Sequence, residues 1–174
     1  FLHPDEALFN DDAHRDDDFV GAPTLNSVEG YPANTEYELV ASIKDATDID
    51  TYRFLLGTPE LGQPVLTASV TAIDGRDAGA RLKLFDRNMN PVPIKILANG
   101  NGTFSFEASG LEAGQHYFVK VDRGPTAERE NGNYALSMHV GTQRAKLDPL
   151  ASGSLTATPM SGASFGVPRS VRAP

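Results

Sequence analysis

The residues of this sequence best suited to chemistry are carboxylates gathered in two knots. Asp16, Asp17 and Asp18 stand together near the start, and Asp45, Asp48 and Asp50 recur in DATDIDTYRF (45–54), on the approach to a predicted strand. Two unpaired carboxylates about 4 Å apart repel by roughly 4 kcal/mol at an effective dielectric of 20, so such knots either splay into solvent or collect a cation. Calcium takes about six to eight hard oxygen ligands in flexible geometry, from carboxylates, carbonyls and water. Acids at a bend between two strands can converge on such an ion, and joining the two knots would staple the N-terminal segment to the domain. The competing reading is that these acids are solvated surface and turn formers. DATDIDTYRFLL is not an EF-hand loop, because it lacks the sixth-position Gly and the twelfth-position Glu, and DRNMNP (86–91) puts Pro91 at the glycine position and reads as a turn.

Other chemistries find little support. There is no cysteine, hence no disulfide, thiolate nucleophile or thiolate metal site. Nucleophilic catalysis needs Ser or Thr beside a His base and an orienting acid. The histidines, His3, His14, His116 and His139, are scattered between a tail, an acidic knot and two strands. His116 begins a strand and His139 faces away from the Tyr134, Leu136, Met138 stripe, so both read as surface. No H-E-x-x-H pair occurs, and no carboxylate pair stands out as a glycosidase dyad. No catalytic residue is expected, and a hydrolase stands only as the last alternative.

The net charge of −8 opposes a nucleic-acid or anionic-membrane partner, since both call for a basic surface. From Thr142 to Pro174, Arg144, Lys146, Arg169 and Arg172 face Asp148 alone, a local +3, which leaves about −11 on the part that folds. No apolar run is long enough to span a bilayer, and FLHPDEALFN has neither the basic start nor the apolar core of a signal peptide. An exported protein would have shed its signal already.

The elements that must position the acids read as strands. From Glu36 onward the apolar residues have period two, as in a strand with one buried face: Tyr37, Leu39, Ala41 and Ile43, then Tyr52, Phe54 and Leu56. PVLTASVTAI (64–73), ARLKLFD (80–86), VPIKILA (92–98), TFSFEA (103–108), HYFVKVDR (116–123) and NYALSMHV (133–140) follow, each bounded by Gly, Pro, Asn or Asp. About eight strands and no convincing helix predict an all-β fold, an antiparallel β-sandwich or jelly roll. NGNG (99–102) supplies residues for a tight hairpin, so Asn101-Gly102-Thr103, formally a glycosylation sequon, reads as a turn. ASGLEAGQ (108–115) has room for one helical turn at most. The organisation expected is an acidic N-terminal segment (1–19) that is disordered or ordered by a ligand, a sandwich (20–141), and a Ser-, Ala-, Gly- and Pro-rich tail (142–174) that is a linker or the start of a further module.

An ordered set of motifs adds a resemblance. Asp48-Ile-Asp-Thr-Tyr-Arg-Phe54, Leu82-Lys-Leu-Phe-Asp86, Phe104-Ser-Phe106, Leu111-Glu-Ala-Gly-Gln-His-Tyr-Phe-Val-Lys-Val121 and Gly132-Asn-Tyr-Ala-Leu136 follow one another over roughly Asp16 to Val140. The set resembles the bacterial pre-peptidase C-terminal domain family, β-sandwich modules appended to secreted peptidases and other exported proteins, and is similar to the collagen-binding modules of clostridial collagenases. The resemblance implies a secreted, cell-surface or periplasmic accessory domain, partnered by neighbouring domains of its parent chain, with calcium joining the acidic N-terminal segment to the loop before the D-x-Y-x-F strand. Carried over, Asp50 is the firmest ligand, Asp48 and Asp45 stand beside it, and Asp16, Asp17 and Asp18 contribute from the N-terminal side, with Asp11 and Asp12 as substitutes. The sequence departs from that pattern where Thr47 occupies the place of a second loop acid and Thr-Asp replaces Gly-Asp. A binding module for collagen-like protein or polysaccharide is the rival reading. It would use exposed rings, and with no Trp present the candidates are Tyr31 and Phe118, with Phe85 a further outward ring; Tyr52, Tyr117 and Tyr134 fall on predicted core faces.

Overall fold

The computed structural model describes residues 8, 13–73, 79–125, 127 and 131–142. Asp11, Asp12, His3 and the tail from residue 143 lie outside them. Eight strands run in order: β1 (Glu36–Ile43), β2 (Ile49–Leu55), β3 (Pro64–Ala72), β4 (Ala80–Phe85), β5 (Lys95–Gly100), β6 (Thr103–Ala108), β7 (His116–Arg123) and β8 (Gly132–Thr142). They form a five-stranded sheet ordered β1-β8-β3-β6-β5 and a three-stranded sheet ordered β2-β7-β4, with every strand pair antiparallel. The fold is an all-β sandwich, and no helix occurs among the described residues.

Period-two alternation builds the core. Tyr37, Ala41 and Ile43 of β1, Leu66, Ala68 and Val70 of β3, Phe104 and Phe106 of β6, and Tyr134, Leu136, Met138 and Val140 of β8 pack from the larger sheet. Tyr52 and Phe54 of β2, Leu82 and Leu84 of β4, and Tyr117, Val119 and Val121 of β7 meet them from the smaller sheet. The β5–β6 hairpin turns at Asn101 (φ 52°) and Gly102 (φ 72°), and two successive positive φ values match the right-handed twist of the flanking strands. Expected as a strand over 92–98, β5 instead covers 95–100. Pro93 has no N–H to give a ladder, and the N–H of Val92 is used by the Leu84 carbonyl, which holds this stretch on the β4 edge.

The other edge of the small sheet, β2, is also covered. Residues 13–25, hereafter the strap, lie along it: Thr51 N–H donates to the Asp16 carbonyl (2.9 Å), Arg53 N–H to the Pro23 carbonyl (2.9 Å), and Leu25 N–H to the Arg53 carbonyl (2.8 Å). Such pairing satisfies an otherwise open strand edge. The Phe19 ring sits edge-on to both Phe85 and Phe118, with centroids 5.2 and 5.1 Å away, and the Lys120 ammonium lies 4.2 Å from its centre. Phe118, 8% exposed, is therefore covered by the strap. The N-terminal segment expected to be disordered or ligand-ordered is, over its described part, fixed by an aromatic anchor and backbone pairing.

Candidate metal centre

The strap and the β1–β2 loop meet at His14. Ala13 and His14 both take left-handed backbone angles (φ 57° and 65°). A tight approach follows at Gly21, where a Cβ would fall 2.1 Å from the Arg15 carbonyl oxygen, so only glycine lets the strap fold back there. Asp18 closes that turn by accepting the Val20 and Gly21 N–H groups at 2.9 and 2.7 Å. Across from it, Asp48 N–H donates to the Asp45 carbonyl, bending the loop that carries both acids.

Three carboxylates converge on the imidazole. Nδ1 of His14 lies 3.1 Å from Asp17 Oδ2 and 3.3 Å from Asp48 Oδ1, and Nε2 lies 3.1 Å from Asp45 Oδ2. The opposite oxygen of each acid is engaged elsewhere: Asp17 Oδ1 by Ile49 N–H (3.3 Å), Asp48 Oδ2 by Lys44 N–H (2.5 Å), and Asp45 Oδ1 by both the N–H (2.8 Å) and hydroxyl (2.7 Å) of Thr47. Asp48 is only 2% exposed. Among the described residues, His14, Asp17 and Asp48 form the group whose potential ligand atoms all lie within 4.8 Å of one another. The electrostatics follow. Hydrogen bonding to Asp45 raises the His14 pKa, and Asp17 and the charge of Asp48 add to this against an opposing loss of solvent. Asp45 is lowered to about 2, first by the Thr47 hydroxyl and then by the Thr47 N–H, with His14 adding to both.

The six acids singled out from sequence thus separate. Asp17, Asp45 and Asp48 meet at one point. Asp16 pairs through its carbonyl with β2, and Asp18 serves a turn. Asp50, the firmest expectation, points the other way: its side chain lies inside the sandwich, where Oδ2 accepts the Tyr134 hydroxyl, itself 2.9 Å from the Tyr52 hydroxyl. Alternation along β2 places Asp50 on the face of Tyr52 and Phe54, so it is turned into the core. Burial raises the Tyr134 pKa, with Tyr52 and Asp50 adding to the effect. The expected ring at Tyr31 is 58% exposed and lines a groove of about 350 Å³ with Pro32, Pro59 and Val140. Of the other histidines, His139 sits on the outer face beside its register partner Glu36, to which it bonds.

Sequence reasoning missed His14 and Phe19. The run His14-Arg-Asp-Asp-Asp18 places an imidazole within four residues of the acids, a signal that could have been read. Phe19 had no period to mark it.

Calcium fits this donor set poorly as it stands. One oxygen of each acid faces the cluster, the other is held by an N–H or hydroxyl, and a nitrogen occupies the middle, whereas calcium asks for about six to eight oxygens. The arrangement can do two things: hold an imidazolium among carboxylates, or hold a metal that accepts nitrogen.

Compared with known proteins, the chain matches no family description and no curated protein. Solved structures do show similarity. A pre-peptidase C-terminal domain of a collagenase from Bacillus anthracis is 20% identical, with 67% of this chain and 92% of that chain covered and a TM-score of 0.42. PliG from Aeromonas hydrophila, a periplasmic inhibitor of g-type lysozyme, is 16% identical over 68% of this chain and 97% of its own, also at 0.42. PliG from Salmonella Typhimurium is 22% identical over 68% and 98%, at 0.41. A pre-peptidase C-terminal domain is thus among the solved structures this chain resembles. At this level of overlap the likeness speaks to neither ligand nor role.

Proposed function

We propose that this chain is a non-catalytic accessory module of a larger exported bacterial protein, in which a cation-assisted clasp fixes the incoming strap to the sandwich. One observation carries the reading: carboxylates from two segments about thirty residues apart, Asp17 on the strap and Asp45 and Asp48 on the β1–β2 loop, converge on a single point. With Phe19 and the Pro23–Leu25 pairing behind it, that point sets the direction in which the chain enters the domain. The mechanism is mechanical. A fixed entry orients the module relative to whatever precedes it and removes a flexible protease target.

Calcium is the ion implied by the sequence resemblance and is the first to try; entering the cluster would require His14 to swing aside. Arg15, exposed on the strap, offers a trypsin site that reports directly. Cleavage after Arg15 is expected to be fast in chelator and slowed by a divalent ion that occupies the clasp, with a parallel rise in the unfolding midpoint. For an ion at a hundredfold excess over its Kd, the added stability is about 2.7 kcal/mol. Identical cleavage with and without any divalent ion would remove the cation from the reading.

A second reading, contact with extracellular protein or polysaccharide, keeps one specific support in exposed Tyr31 and its apolar groove. Retention on insoluble collagen or polysaccharide that is lost in Tyr31→Ala would favour it. Phe118, beneath Phe19, does not offer a face to such a polymer.

A further inference from the structure

We infer that the clasp is a site for a zinc-class divalent ion, ligated by His14 Nδ1, Asp17 Oδ2 and Asp48 Oδ1, with Asp45 as the residue that orients the imidazole. The inference rests on the cation-assisted reading above and names the ion.

Geometry comes first. Zinc bonds to imidazole nitrogen and carboxylate oxygen are about 2.0–2.2 Å long, and at tetrahedral angles such bonds put neighbouring ligand atoms roughly 3.3–3.5 Å apart. Nδ1 already stands 3.1 and 3.3 Å from the two carboxylate oxygens, close to two of the three separations such a shell requires. Next comes the tautomer. A neutral ring that donates Nε2–H to Asp45 carries its lone pair on Nδ1, aimed at two carboxylate oxygens. Either a proton on Nδ1 or a metal ion can stand between lone pairs so opposed, and the metal ion adds three bonds. This carboxylate–histidine–metal relay is how ligating imidazoles are generally oriented. Asp45 is itself steadied by Thr47, while Asp17 and Asp48 are steadied by the N–H groups of Ile49 and Lys44. Every proposed ligand therefore has an outer partner.

Ligand type decides the metal. Imidazole suits zinc, copper, iron and nickel, whereas calcium and magnesium prefer all-oxygen sets. The engaged second oxygens leave each acid able to offer one oxygen, too few for calcium but enough for a three-ligand site completed by water. Asp48 is an almost wholly buried carboxylate, and a divalent ion would balance it and Asp17 together.

The test uses the full chain stripped with chelator, with cobalt(II) as the spectroscopic stand-in for zinc. One equivalent of cobalt is expected to give the strong visible bands of a four- or five-coordinate site, displaced by zinc and not by calcium. Zinc should raise the unfolding midpoint and slow trypsin at Arg15. His14→Ala should abolish the bands, and Asp45→Ala should weaken zinc about 10- to 100-fold. Should either variant fold poorly, Asp17→Asn, at a residue one-third exposed, serves in its place and should also abolish the bands. Cobalt spectra no different from the aqueous ion, or equal zinc binding by the wild type and a folded His14→Ala, would overturn the inference. Stabilisation by calcium without zinc would overturn it and leave the cation-assisted clasp standing; no response to any divalent ion would remove both.

Discussion

At the scale of single residues, two aromatic side chains outside the acidic cluster do much of the fixing. Phe19 bridges Phe85 and Phe118 in edge-to-face contacts and carries Lys120 over its face. Each aromatic contact is worth about 0.5–1.5 kcal/mol beyond area burial. Phe19→Ala is accordingly expected to cost on the order of 2 kcal/mol in denaturant unfolding and to expose Arg15 to trypsin while the sandwich persists; unaltered cleavage would show that the clasp holds the strap alone. Tyr37 is the second case. Its hydroxyl donates to the Leu55 carbonyl at 2.5 Å, tying β1 to the end of β2, and burial raises its pKa from 10.0 to about 12. A raised folded-state pKa means the contribution is whole below pH 10 and is lost as pH climbs through about 12, because the unfolded chain ionises first. Alkaline titration followed by tyrosinate absorbance and circular dichroism should therefore show stability falling over that window, and Tyr37→Phe should flatten the fall.

At the scale of elements, what was legible in the sequence is what local pattern controls. Alternation at Tyr37, Ala41 and Ile43 and at Tyr134, Leu136 and Met138 marks strands whose faces are buried as expected, because the pleat has period two whatever lies opposite. The Asn101-Gly102 turn is legible for the same reason: positive φ is a local demand. Gly102→Val is expected to cost about 1–2 kcal/mol, since a β-branched residue is forced into the left-handed region, and a native-like midpoint in that variant would mean the hairpin can reform with another turn. The strap was not legible, because nothing local distinguishes an acidic segment in water from one pinned by rings about seventy and one hundred residues further on. The same holds for β5, whose shift to Lys95–Gly100 follows from where the Val92 N–H finds its partner. The carboxylates were identified as residue types with a use; which of them face one another depends on strand facing and a bend, and there Asp50 parted from Asp48.

At the scale of the whole molecule, that parting separates stability from site. Asp50 on the small sheet accepts the hydroxyl of Tyr134 on the large one, and with Tyr52 beside them these polar groups cross an interior otherwise built by residues such as Phe54, Phe106 and Leu136. Polar groups buried this way are costly to strand: Tyr134→Phe is expected to lose about 1–3 kcal/mol. The clasp lies at the edge of the small sheet, where its donors are Asp17, Asp48 and His14. Asp50→Asn should consequently lower the unfolding midpoint or leave it near wild type, according to how the amide meets Tyr134, yet preserve the full metal-dependent protection at Arg15. His14→Ala should do the reverse, sparing the core and erasing the protection. The sequence resemblance alone places Asp50 first among the ligands and gives the opposite ranking. Loss of metal protection in a folded Asp50→Asn protein would restore Asp50 as a ligand, requiring β2 to turn that carboxylate out of the sandwich. Retention would establish that the junction of the β1–β2 loop with β2 presents acids two residues apart to different tasks, one binding the sheets together and one holding the entering chain.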